Sequence, residues 1–335
     1  MTLSGANTYT GGTTISAGTL KIGHATALGG SGGAVSVADG AALDLNGTTL
    51  TNTNTLTLRG SGISGGGALT NSSSTAATYA GNIVLGSASS IGSAVGGITA
   101  SGVVSGAFAL TKVAAATLAL NGSNTYTGGT TISAGTLKMG HGDALGNSGR
   151  GAISVSSGAT LDLNGSVMSN VSTLTLNGTG VSNGGALTTT NATGGAFQGQ
   201  IILGSDTSIG SSIGNISLTN VISGDFGLTK IGTANISVGG ANTYTGTTTV
   251  NGGVFLVGHA QALGSTDGGT TVASGGRLLL AGGVNFGTEA VTLNGGSLEL
   301  QSGTTSLSGT VNLGASSSIR ADAGTQLTLS GVVSG

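Results

Sequence analysis

The sequence contains no cysteine, no proline and no tryptophan, and only 5% of its residues are charged. Each scarcity removes a class of protein. Without cysteine the chain fits either a cytosolic protein or an exported one that avoids oxidative cross-linking. Without proline, and without glycine at every third position, it is not collagen. Lysine and arginine total eight against ten acidic residues, and they are scattered. That excludes a nucleic-acid footprint and a polybasic patch for a membrane surface. A disordered chain would combine high charge with few apolar residues, whereas 37% of this one is hydrophobic. No apolar run approaches the length that spans a bilayer as a helix. No helical period extends far enough to propose a helix. At 335 residues the chain is long enough for two or three ordinary domains. What fills it instead is 69 glycines among Leu, Ile, Val, Ala, Thr, Ser and Asn. β-Branched residues between Gly and Asn corners suit many short strands.

The chain is organised by repetition. NTYTGGTTISAGTLKIGH at residues 7–24 returns as NTYTGGTTISAGTLKMGH at 124–141 and, with departures, as NTYTGTTTVNGGVFLVGH at 242–259. From Asn7 to Asn124 is 117 residues, and from Asn124 to Asn242 is 118. All three histidines (His24, His141, His259) and three of the four tyrosines (Tyr9, Tyr126, Tyr244) fall in register. The similarity continues between the motifs: TLTLRG at 55–60 matches TLTLNG at 173–178 and AVTLNG at 290–295, and GVVSGAFALTK at 102–112 matches NVISGDFGLTK at 220–230. The rarest residues recurring in register mark a duplicated chain whose copies share a structure. The copies run 1–117, 118–235 and 236–335, the last truncated.

A shorter rhythm runs inside each copy. TLKIG, AVSV, ALDL, TLTL, NIVLG and GITA alternate apolar and small polar residues with period two. Gly, Asn-Gly, Ser-Gly and Asp-Gly corners separate them. Asn-Gly pairs such as 46–47 and 164–165 could close antiparallel hairpins in a sandwich. Alternatively each strand pairs with its counterpart one coil later. The inward residues read as uniformly Leu, Ile, Val and Ala, which stack on their like, and this favours the second arrangement. The expectation is an all-β fold, a right-handed parallel β-helix (β-solenoid) forming a single elongated rod over 1–335. Coils of about 20 residues would give about 16 rungs spaced ~4.8 Å, roughly 75 Å in all.

Residues 3–29, LSGANTYTGGTTISAGTLKIGHATALG, resemble the passenger-associated transport repeat of bacterial autotransporters; 120–146 repeat the pattern, and 238–264 match with Val250 for Ile and GGVFLVG for AGTLKIG. The resemblance implies a passenger of a type V secretion system, exported through an outer-membrane barrel and displayed on a Gram-negative cell surface. It also implies a partner outside these residues, the passenger's own C-terminal outer-membrane β-barrel. Met1 leads directly into the repeat, with no signal peptide before it.

Candidate chemistry is sparse. The histidines, several rungs apart and about 25 Å from one another, are too distant to share a metal ion, so they read as corner residues. Tyr9, Tyr126 and Tyr244 read as rings packed over a corner; Tyr79 aligns with Phe197, so the ring matters there and the hydroxyl does not. Asp44 and Asp162 share a position that is Leu279 in the third copy, while Asp39, Asp143, Asp206, Asp225 and Asp267 sit beside Gly or Ser as turn residues. No pair of carboxylates converges as glycosidase chemistry requires. GSGISG at 60–65 satisfies a dinucleotide fingerprint only formally, since no helix follows. TLTNTNTLTL at 49–58 would align Thr49, Thr51, Thr53, Thr55 and Thr57 on one face if extended, but a water-ordering array needs such a ladder in every coil. The sequence therefore gives no catalytic, cofactor or metal residues. It reads as a non-enzymatic stalk whose repeats aid export and stepwise folding. An adhesin contacting host or bacterial surfaces is the alternative, and a polysaccharide-acting enzyme ranks below both. Inter-strand segments are short, with no sign of long loops or a groove. Ends that fall inside repeats predict end-to-end self-association.

Overall fold

The computed structural model describes residues 1–146, 151–169 and 172–335. Its described residues are strands and corners with no α-helix; two single 3₁₀ turns, Ile63–Gly65 and Val181–Asn183, are the helical exceptions. The ladders between strands are parallel, so the strands stack coil on coil rather than fold into hairpins. The β-solenoid read from the period-two segments is the observed architecture. One isolated antiparallel bridge, Ala273↔Gly295, departs from it. The chain divides into two units, Met1–Asp162 and Leu163–Gly335.

In the first unit the strands stack in three rows. One row holds Thr13–Ile15, Val35–Val37, Leu56–Gly60, the start of Ile83–Gly92, and Val104–Ser105. The next holds Gly18–Ile22, Ala41–Asp44, Leu69–Thr70, the end of Ile83–Gly92, Leu110–Val113, Thr130–Ile132 and Ile153–Val155. The third holds Thr49–Leu50, Ala77–Tyr79, Ile98–Ala100, Leu118–Leu120, Gly135–Met139 and Ala159–Asp162. Ile83–Gly92 is long because it turns a corner through a break in register after Leu85, and so belongs to two rows. TLTNTNTLTL is not one strand: residues 51–55 leave the ladder between Thr49–Leu50 and Leu56–Gly60, so its five threonines share no face.

Alternation decides which side chains enter. Within a strand such as Leu118–Leu120 the burial pattern is buried, half-buried, buried, and the inward residues Ile98, Leu118, Leu137 and Leu161 stack on one another along the third row. Removing them from water is the main stabilising term, at about 25 cal/mol per Å² of apolar surface. The interior is not purely aliphatic, however. Lys112 and Lys230, and Thr130, Thr248 and Thr270, are also inward and buried.

The large repeat is not a whole number of coils. Five steps along the register of the second row run Leu20, Leu43, Leu69, Ile91, Lys112, Ile132. Leu137, the copy of Leu20, lies one row further on, stacked on Leu118 and Ile98. The second unit behaves the same way. Leu174 stacks with Ile201 and Ile222, whereas its copy Val291 belongs to the row of Thr207, Leu228, Thr248 and Thr270. One repeat therefore advances the sequence by five coils and one row.

Candidate functional site

The signature motif builds a corner that clamps three successive coils. Asn124 is fully buried; its Oδ1 accepts the Val104 N–H at 2.7 Å and its Nδ2 donates to the Ala144 carbonyl at 2.5 Å. Asn242 does the same between Ile222 (2.8 Å) and Ala262 (2.7 Å). One amide side chain thus satisfies backbone groups of the coil before and the coil after, groups that would otherwise be buried without partners. Asn7 makes only the forward bond, Nδ2 to Ala27 O at 2.7 Å.

The tyrosine two residues on closes the same corner. The Tyr126 and Tyr244 hydroxyls pair with Thr130 Oγ1 at 2.7 Å and Thr248 Oγ1 at 2.5 Å, both rings being fully buried. Tyr9 is 37% exposed but keeps the bond to Thr13 Oγ1 at 2.6 Å. The ring lies against the glycine of the ALG segment: a Cβ on Gly264 would stand 2.7 Å from the Tyr244 ring and 2.6 Å from its carbonyl oxygen. Gly264 also has φ +87°, a conformation that side chains disfavour.

The histidines occupy corners, as the sequence indicates. In each copy Nδ1 accepts the backbone N–H two residues on: Thr26 at 3.2 Å, Asp143 at 3.0 Å, Gln261 at 3.1 Å. Among the described residues no group of three or more His, Asp or Glu could hold a metal ion. Asp44 ties neighbouring coils together, accepting the Asn46 and Ser72 N–H groups at 2.9 Å each and the Ser72 hydroxyl at 2.6 Å. Asp206 accepts the N–H of Gly227, one coil later, at 2.8 Å. Tyr79 corrects one expectation: its hydroxyl is not idle but donates to the Asn54 carbonyl at 2.6 Å. Phe197 packs where Tyr79 does, against Gly199 as Tyr79 packs against Gly81, and forgoes that bond.

Two lysines escaped the sequence reading. Lys112 Nζ donates to the carbonyls of Val113 (2.8 Å), Ala114 (2.5 Å) and, in the next coil, Ala134 (2.8 Å). Lys230 Nζ donates to Ile231 (3.1 Å) and Gly232 (2.6 Å). Burial holds each ammonium down at a pKa of about 8. The signal was present: period two from Leu110 puts Lys112 on the inward side. Elsewhere charge gathers at one place in the second unit, where Arg277 forks onto Glu299 through Nε to Oε1 at 2.9 Å and Nη2 to Oε2. The Arg277 bond is the chief reason that the Glu299 carboxyl lies below its ordinary range.

Burial has the opposite effect on Glu289, raising its carboxyl to about 7, partly offset by the Thr270 hydroxyl. Glu289 lines an opening of about 420 Å³ with Gln261, Thr266, Asn285 and Phe286 among its neighbours, a concavity the short inter-strand segments gave no reason to expect.

The asparagine and tyrosine of each signature corner fall in segments that match a known family. The passenger-associated-transport-repeat family model matches residues 1–22, 110–139 and 228–257. The matched segments reach back to Lys112 and Lys230 and stop short of the histidines and the ALG glycines, so the family pattern lies further upstream than the motif boundaries suggested by sequence alone. On these three segments, 82 of the 335 residues, the chain resembles a stretch of autotransporter passenger. It is 34% identical over 268 residues, 76% of its own length, to the protein named Adhesin BmaC autotransporter from Brucella suis biovar 1 (strain 1330), of which it spans 6%. No solved structure matches it.

Proposed function

We propose that the chain is a non-enzymatic stalk whose repeats favour export by folding coil by coil, joined in the whole protein to its own outer-membrane barrel. The observation that carries this reading is the asparagine clamp. Asn124 and Asn242 each satisfy backbone groups in the coil before and the coil after. A newly emerged coil therefore completes the bonding of its neighbour and buries a fresh apolar layer, which resists sliding back. The repeats 1–117, 118–235 and 236–335 act as one continuous solenoid in this reading. The name of the Brucella relative supports a second role, adhesion, with the solenoid surface contacting host or bacterial surfaces. The test is display of the chain ahead of an autotransporter barrel in a Gram-negative host, followed by external protease accessibility. Asn124→Ala with Asn242→Ala should lower the displayed fraction several-fold. Unchanged display of a chain shown to be destabilised would refute the export role. Adherence of the same cells to host-cell monolayers, compared with cells displaying the barrel alone, tests the second.

A further inference from the structure

The residue before the TLTL segment, two before its strand, is a buried polar group in all three copies: Asn54, Ser172 and Glu289. The strand positions correspond, since Thr55 O accepts from the Val35 N–H and Ala290 O from the Thr270 N–H in the same way. In the first two copies this position holds the two buried side-chain atoms without a hydrogen-bond partner among the described residues, Asn54 Oδ1 and Ser172 Oγ. Asn54 spends its Nδ2 on Gly30 O and Gly33 O, at 3.0 and 2.6 Å, and leaves the oxygen over. The fold thus presents a polar group at this corner that the chain itself does not fully satisfy.

In the third copy that group is a carboxyl, 3% exposed. Thr270 Oγ1 donates to its Oε1 at 2.7 Å. Among the described residues no lysine, arginine or histidine forms an ion pair with it. The opening it lines, about 420 Å³, is otherwise edged by Gln261, Ser265, Thr266, Asn285 and Thr288, a volume within the range of small-ligand sites. A buried carboxylate needs a counter-charge or a set of donors. The chain supplies one hydroxyl, and the side chains around the opening supply neutral amides and hydroxyls. We propose that this corner is a binding site for a small ligand bearing an ammonium group, an amino sugar or an aliphatic amine, with the ammonium on Glu289 and the ligand's hydroxyls on Gln261, Thr266 and Asn285. This goes beyond the stalk and adhesion readings and does not depend on either.

The test uses the full 335-residue chain, with glucosamine as the probe and N-acetylglucosamine and ethanolamine beside it, read by amide and carboxyl NMR shifts. Glucosamine should shift the amides of Gln261, Thr266, Asn285 and Glu289 saturably. It should also lower the pH at which the Glu289 carboxyl titrates, a readout that needs no variant. Glu289→Gln, which keeps the size of the side chain, should weaken binding at least 10-fold, as should the uncharged N-acetyl probe. Ethanolamine binding as tightly as glucosamine would assign the site to amines in general; a preference for glucosamine would assign it to amino sugars. Absence of saturable shifts at tens of millimolar, equal affinity for N-acetylglucosamine, or full affinity in Glu289→Gln would overturn the proposal. If that variant fails to fold, an unmoved carboxyl titration in the native chain is the result that overturns it.

Discussion

Replacing Asn124 by alanine removes one side chain and leaves two buried backbone groups without partners, the Val104 N–H and the Ala144 carbonyl. Each such group costs about 1–3 kcal/mol when left unmet in the interior. Allowing for partial relaxation, the substitution should destabilise the surrounding coils by about 3 kcal/mol. The same change at Asn7 removes a single bond from a half-exposed side chain, so about 1 kcal/mol is expected. A solenoid unfolds by segments, so a global melting curve blurs the difference. Native-state hydrogen exchange reads it locally. The Val104 amide, which depends on Asn124 Oδ1, should lose about 100-fold of its protection, since each 1.4 kcal/mol is a factor of ten. Asn242→Ala should do the same to Ile222. Equal costs for Asn7→Ala and Asn124→Ala, or an unchanged Val104 amide, would refute the clamp.

Gly264→Ala should lower stability by about 3 kcal/mol, because its Cβ meets the Tyr244 ring and carbonyl as well as a positive φ, whereas Gly158→Ala, with the same sign of φ and open space, should cost about 1 kcal/mol; comparable denaturation midpoints would contradict the close packing of Tyr244. His24, His141 and His259 replaced by Asn should each change stability by less than about 0.5 kcal/mol, since Asn can also accept the N–H two residues on; differential scanning calorimetry on the triple variant checks this. Stability should depend on pH in two opposed limbs. Glu289 titrates near 7 when folded and near 4.5 otherwise, so its contribution is present below 4.5 and fades as pH rises towards 7. Lys112 and Lys230 titrate near 8 when folded and near 10.5 otherwise, so stability from them is lost as pH falls through 8 and regained towards 10.5. Urea titrations should flatten on the acid limb in Glu289→Gln and on the alkaline limb in Lys112→Met with Lys230→Met; limbs that survive would remove these groups as the cause.

Much of this was legible in the sequence for a physical reason. A period-two pattern such as TLKIG reports which side chains enter, and like residues at repeated positions report what they stack on. Alternation also carried Lys112 inward, but its charge argued the other way until the carbonyls that receive its ammonium were visible. Those acceptors come from a neighbouring corner and a later coil, and no local pattern announces them. Glu289 was illegible for the same reason, because its surroundings come from segments around 261–266 and 285–288 that lie on different coils. The alignment of Tyr79 with Phe197 hides what the hydroxyl does, because the two positions differ by one bond to a backbone carbonyl that sequence comparison does not see.

That one repeat advances by five coils and one row has a consequence for how such a gene can change length. The TTI of the first motif lies in one row of its unit and the TTI of the second motif in the next, so successive rows accept the same strand sequence. Deleting or duplicating a whole repeat by unequal recombination therefore moves the strands that follow in the same unit by one row yet still sets apolar strand on apolar strand. Length polymorphism in steps of about 118 residues is structurally silent in the core. On the outside it is not: within a unit, a strand moved to the next row carries its outward side chains to another face, so the same change that preserves the core re-aims what that face presents.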